Sequence, residues 1–206
     1  MSVNKEKPRL QANIAVKTGS RNDPAETTGL AHYLEHLMFK GTTHFGTTDV
    51  EKEKPYLDEI TRRYESYRKL IDPAQRKQAY HEIDSISQLA ARYNIPNEYD
   101  KLMASIGSEG SNAYTSNDVT CYVENIPNNE IENWAKIQSD RFQNMVIRGF
   151  HTELEAVYEE KNITMASDDD KRWAALWKLL TPTHPYGTQT TIGEQEHLKN
   201  PSIVNI

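Results

Sequence analysis

Apolar positions change their period along the chain, and the changes mark its elements. Leu10, Ala12, Ile14 and Val16 alternate with Gln11, Asn13, Ala15 and Lys17, the period of a half-buried strand. Gly19 to Pro24 reads as a turn. Leu30, Leu34, Leu37 and Met38 then form a helical stripe, with Thr27 or Thr28 as N-cap and Gly41 to close it. Residues 41–50 are a Gly/Thr loop. Residues 52–93 predict a helical hairpin, with one stripe at Leu57, Ile60, Tyr64 and Tyr67 and another at Ile83, Ile86, Ala90 and Tyr93. Asp72-Pro73 marks its turn, since proline suits the first position of a helix. Charged residues cover the remaining faces, as on a solvated surface.

A short helix near Asn97–Ile106 leads out through Gly107 and Gly110. Val119, Cys121 and Val123 alternate with Thr120, Tyr122 and Glu124, a strand ending at Pro127. Asn128 or Asn129 is placed to cap a helix carrying Ile131, Trp134, Ile137 and Phe142. Phe150 opens another, whose core face is Leu154 and Val157. Trp173, Leu176, Trp177 and Leu180 predict a further short helix, and that aromatic stripe is expected in the core. His184-Pro185-Tyr186-Gly187 reads as a turn-rich loop. There are no internal repeats or low-complexity tracts. Strands interleaved with helices point to an α/β or α+β sandwich, one sheet with helices against it.

Composition narrows the classes. The chain has 206 residues, enough for one domain with a sizeable core. Only 36% are hydrophobic and the mean hydropathy is −0.79, so the chain is polar. The 24 basic and 30 acidic residues give a net charge of −6, with no basic patch carrying interleaved aromatics; nucleic acid is not the expected partner. No apolar run approaches the roughly 20 residues that span a bilayer. Cys121 is the only cysteine, which rules out an internal disulfide and leaves the redox compartment open. It is expected as a small buried apolar side chain. Met1-Ser2-Val3-Asn4-Lys5 is not followed by the apolar core of a signal peptide.

The chemistry concentrates in His32-Tyr33-Leu34-Glu35-His36. This is H-x-x-E-H, an inverted zinc-protease pattern. On a helix, positions i and i+4 share a face, so both imidazoles can grip one ion. Glu35 leans over that face as a base for a water activated there. A catalytic zinc takes a third protein ligand and keeps one position open. Candidates lie in Glu153-Leu154-Glu155-Ala156-Val157-Tyr158-Glu159-Glu160. Glu153 and Glu160 are two turns apart on one face, so one could bind the metal while the other orients a ligand. Spacing alone leaves Glu155 and Glu159 as rivals. His184 could pass for a ligand, but the pair at 32 and 36 already fills that role, and His44, His81, His151 and His197 lack comparable geometry.

Three segments in this order resemble the insulinase/pitrilysin family of zinc peptidases, which includes mitochondrial processing peptidase. They are His32–His36 followed by Met38-Phe39-Lys40-Gly41-Thr42, then Ser111-Asn112-Ala113-Tyr114-Thr115, then Glu153–Asn162. The resemblance runs from about Leu10 to Pro201. It implies an α+β domain with a mixed, largely antiparallel sheet, His32, His36 and Glu160 as zinc ligands, Glu35 as general base and Glu153 as a supporting carboxylate. The family pattern, with a glutamate seven residues before the ligand, selects the 153/160 pair.

By the same resemblance Asn112, Ala113, Tyr114 and Thr115 form an edge strand that accepts an extended peptide substrate by strand addition. Relatives complete the site with an Arg/Tyr pair from a second homologous half or a partner subunit, and no counterpart stands in this sequence. The expected activity is zinc-dependent endopeptidase cleavage. The alternative is a non-catalytic peptide-binding or partner subunit of a peptidase assembly. Residues 1–206 are read as one N-terminal metallopeptidase domain truncated at both ends, with 52–93 as an inserted helical hairpin. A bacterial cell-envelope or periplasmic location is the family expectation.

Overall fold

β1 (Arg9–Val16) and β2 (Ser111–Thr115) flank β3 (Thr120–Pro127) in an antiparallel sheet of order β1-β3-β2. A tight turn, with Ser116 N–H donating to the Val119 carbonyl at 2.8 Å, joins β2 to β3. β2 therefore forms one edge of the sheet. The computed structural model describes residues 8–206, so the Met1–Lys5 segment lies outside the described residues.

Nine helices accompany the sheet among the described residues: α1 (Leu30–Leu37), α2 (Val50–Tyr67), α3 (Pro73–Ala91), α4 (Glu98–Ser105), α5 (Ile131–Gln143), α6 (Phe150–Ala166), α7 (Asp168–Leu180), α8 (Pro185–Thr188) and α9 (Gln195–Leu198). The fold is α+β with a helical hairpin, α2–α3, between the motif helix and the rest. Asp72 caps α3 through the Gln75 amide, with Pro73 at its start. Among the described residues no helix is long and apolar enough to cross a membrane.

Two apolar clusters hold the elements together. Tyr33 and Leu37 of α1 pack with Ile60, Tyr64 and Tyr67 of α2, Ile83 of α3, and Phe150, Leu154 and Val157 of α6. Ala12 and Ile126 of the sheet pack with Phe45, Tyr99 and Met103. At about 25 cal/mol per Å² of apolar surface, such burial is the dominant favourable term.

Several expectations are corrected. Neither Thr27 nor Thr28 caps α1. Gly29 occupies the cap position with φ +90°, and the Asp23 carboxylate accepts from the amides of Gly29 and Ala31 at 2.7 and 2.9 Å. A carboxylate at a helix N-terminus satisfies orphan donors and meets the positive end of the dipole. α1 ends at Leu37, and Gly41 comes one turn later. The cap position of α5 is Glu130 rather than Asn128 or Asn129, and Phe142 is exposed.

In β3 the buried set is Thr120, Tyr122, Glu124 and Ile126, together with Cys121, while Val123 is only half buried. Alternation holds in β3, but the inward set is Thr120, Tyr122, Glu124 and Ile126 rather than the apolar Val119 and Val123. Glu124 is tolerated inside because Tyr99 and Ser111 hydroxyls both reach its carboxylate, at 2.5 and 2.6 Å. His184 caps the short α8 by accepting from the Tyr186 amide. The largest departure is α7: it is helical as expected, but none of its residues is buried, and Trp173 is 60% exposed.

Candidate metal centre

α1 and α6 meet side by side. The Tyr33 hydroxyl donates to the Phe150 carbonyl at the start of α6, and the two rings lie 4.7 Å apart. Leu154 and Val157 turn inward, which leaves Glu153 and Glu160 facing the histidines of α1. His32 Nε2 and His36 Nε2 are 3.2 Å apart, and Glu160 Oε2 lies 3.7 Å from each. A tetrahedral zinc site with bonds of about 2.0–2.1 Å separates its ligand atoms by roughly 3.4 Å. The three atoms therefore suit a single ion, and this donor set of two imidazoles and a carboxylate fits zinc. They are the one cluster of its kind among the described residues.

The surrounding groups fix these side chains. Glu153 Oε1 meets His36 Nδ1 at 2.9 Å, which directs Nε2 toward His32 and Glu160. The other Glu153 oxygen contacts Lys40 Nζ. Burial works to raise the Glu153 carboxyl, but the hydrogen bonds with His36 and Lys40 outweigh it and hold it below the ordinary carboxylate value. His36 is raised, chiefly by its Glu153 hydrogen bond. Burial, with the neighbouring His36, lowers His32 to about 4, so it stays neutral and ready to ligate.

Glu35 is buried beside the cluster. Burial raises its carboxyl, partly offset by a hydrogen bond from the Thr115 hydroxyl. Thr115 lies at the end of β2, so the edge strand and the motif helix touch at this contact. Beneath α1, the buried Arg141 guanidinium donates to the Met38 carbonyl at 2.9 Å and lies against the rings of Phe39, Tyr99 and Tyr122. It anchors the C-terminal end of the motif helix.

These groups open onto a cleft of about 840 Å³, with β2 on one side and Trp173 and Trp177 of α7 on another. Asn112, Ala113 and Tyr114 line it too; the Asn112 side chain accepts from the Ala113 amide at 2.9 Å. Glu155 and Glu159, the rival carboxylates, lie instead along a separate groove with Tyr67 and Tyr80. Three features escaped the sequence reading. Lys40 repeats the His32, His36 interval at i+8, a usable signal. Trp173 and Trp177, expected in the core, instead border the cleft. The Thr115–Glu35 contact, which joins residues far apart in sequence, left no local signal.

Residues 1–57 match the family model described as Insulinase (Peptidase family M16). An uncharacterized zinc protease of Rickettsia felis is 38% identical over 55 residues, covering 27% of this chain and 13% of that protein. Coenzyme PQQ synthesis protein F of Pseudomonas putida is 49% identical over 45 residues, 20% of this chain and 6% of that one. The chain thus matches only a small share of these relatives' length. Among solved structures, a protease from Helicobacter pylori superposes with a TM-score of 0.65 at 20% identity, over 97% of this chain and 37% of that one. Pitrilysin gives 0.58 at 18% identity, over 95% and 16%. Those two likenesses speak for the fold, and the local matches tie the segment that carries the motif helix to the insulinase family of peptidases.

Proposed function

We propose that this chain supplies the metal-binding face of a zinc-dependent endopeptidase acting on extended or unstructured peptides. One observation carries the reading: His32, His36 and Glu160 converge from two distant helices, with Glu35 beside them in a cleft bordered by an edge strand.

His32, His36 and Glu160 would hold the ion, and Glu153 would orient His36 from behind. Zinc bound there would act as a Lewis acid, acidifying a water and polarising the scissile carbonyl. Glu35 accepts the proton of the attacking water and delivers it to the leaving amine. Its raised carboxyl suits both halves of that task, because a base closer to neutrality also gives its proton back more readily. The Thr115 hydroxyl holds the Glu35 carboxylate in place between the two transfers. β2 takes the peptide as an added strand, with small Ala113 allowing close approach and Asn112 leaving its own Ala113 contact to bind the substrate backbone.

A second homologous half or a partner subunit completes the site. This fits both solved neighbours, which extend far beyond the part this chain matches. The chain alone is expected to bind zinc much better than it cleaves. Changing Glu35→Gln tests the reading: zinc content should hold while cleavage of an unstructured reporter peptide by the full-length protein drops by about 10²–10⁴-fold. Unchanged cleavage would remove Glu35 from the chemistry and favour a binding role for the chain.

A further inference from the structure

Lys40 stands one helical repeat beyond His36. The chain continues as turns past α1, with Phe39 N–H donating to the His36 carbonyl and Lys40 N–H to that of Leu37. The ammonium group is thereby carried to the same side as the imidazoles. It contacts Glu153 Oε2, while Glu153 Oε1 holds His36 Nδ1. One carboxylate is gripped at both oxygens.

The root of Lys40 is fixed from behind. Its carbonyl accepts from Arg148 Nη1 at 3.3 Å. Arg148 is itself locked in a bidentate pair with Glu53, at 2.7 and 2.8 Å, and both side chains are fully buried. Gly41 follows with φ +120°, and a Cβ there would come within 2.5 Å of Arg148 and of the Phe45 carbonyl. A solvated lysine keeps rotamer entropy that a fixed one gives up. The Lys40 side chain is only 35% exposed, so the contact with Glu153 offsets that loss.

We propose that Lys40 is a positioning residue of the metal site: it holds Glu153 as the partner of His36 and keeps it from becoming a competing ligand. The inference rests on the zinc reading above. The last torsion of a glutamate is broad, so a carboxylate tied only to His36 could swivel. Glu153 and Glu160 occupy the same face of α6, and an untethered Glu153 would be drawn to the cation. Lys40 satisfies one oxygen with a fixed positive charge, and the other is left with a single orientation toward the imidazole.

Zinc affinity of this chain, read by chelator competition, tests the proposal. Lys40→Met should weaken zinc binding by about 10-fold, the lower end for loss of a group supporting a metal ligand, with no change in the melting temperature of the metal-free chain. Lys40→Arg should remain within about threefold, since it restores the charge. In a Glu153→Gln background Lys40→Met should add nothing, because the group it holds is gone. A Lys40→Met affinity within twofold of the parent, with zinc still tightly bound, would overturn the role of Lys40 and leave the zinc site standing. Absence of zinc binding in the parent chain would overturn both. If Lys40→Met does not fold, Lys40→Arg decides: a tenfold loss contradicts the proposal and retention supports it.

Discussion

Two helical walls face the same cleft, and they differ in how firmly they are held. The wall made by α1 and α6 is over-determined. Tyr33, Leu37, Leu154 and Val157 are buried in one cluster, Asp23 caps the motif helix, and Arg141 and Arg148 fasten the segments that follow α1 and precede α6. The wall made by α7 carries larger apolar side chains, yet Trp173, Leu176, Trp177, Leu179 and Leu180 are all exposed. Its cap, the Ser167 hydroxyl accepting from Asp170, is local. An apolar stripe is a demand for a partner, and whether the partner lies in the same chain is a separate question. The groups suited to chemistry sit on the stiff wall, where side chains can be held to a fixed geometry.

Breaking the stiff wall should cost most. Arg148→Met leaves Glu53 buried without its counter-charge, and stability should fall by about 3–5 kcal/mol, measured by urea denaturation. A loss below 1 kcal/mol would mean that this pair does not hold the loop behind Lys40. Acidification should have a smaller effect on the same wall. Burial lowers His151 below its ordinary value, against the opposing charges of Glu155 and Asp84, and its Nδ1 meets the Tyr64 hydroxyl at 2.7 Å. A group whose folded form resists protonation contributes stability that is fully present above the unfolded value, near about 6.5, and is lost as pH falls below it. Melting temperature should therefore drop between pH 7 and 5, and the drop should shrink in His151→Gln; equal drops would assign the effect elsewhere. The loose wall should respond least. Trp177→Ala should change stability by no more than about 0.5 kcal/mol, and a loss of 2 kcal/mol or more would show that α7 is packed as firmly as α6.

Much of this was legible in the sequence because it is local. Helical spacing brought His32, Glu35 and His36 together, period two gave β1, and Asp72-Pro73 gave the turn of the hairpin. Glu160 could be separated from Glu159 only through the family resemblance, since an acidic helix offers several carboxylates at workable spacings. Cap residues were misread where the donor side chain lies outside the local window, as with Asp23. The core assignment of Trp173 and Trp177 failed because periodicity reports amphipathicity and says nothing of what covers the apolar side. Buried charges such as Glu53, Arg148 and Glu124 leave no local signal, because the partners that allow their burial are remote in sequence.

X-ray absorption and elemental analysis of the zinc-loaded chain address the three-ligand geometry most directly. One zinc per chain is expected, in a nitrogen and oxygen environment with two imidazoles, retained in Glu159→Gln and lost or strongly weakened in Glu160→Gln. Equal zinc content in both variants, or a metal environment lacking imidazole, would contradict it.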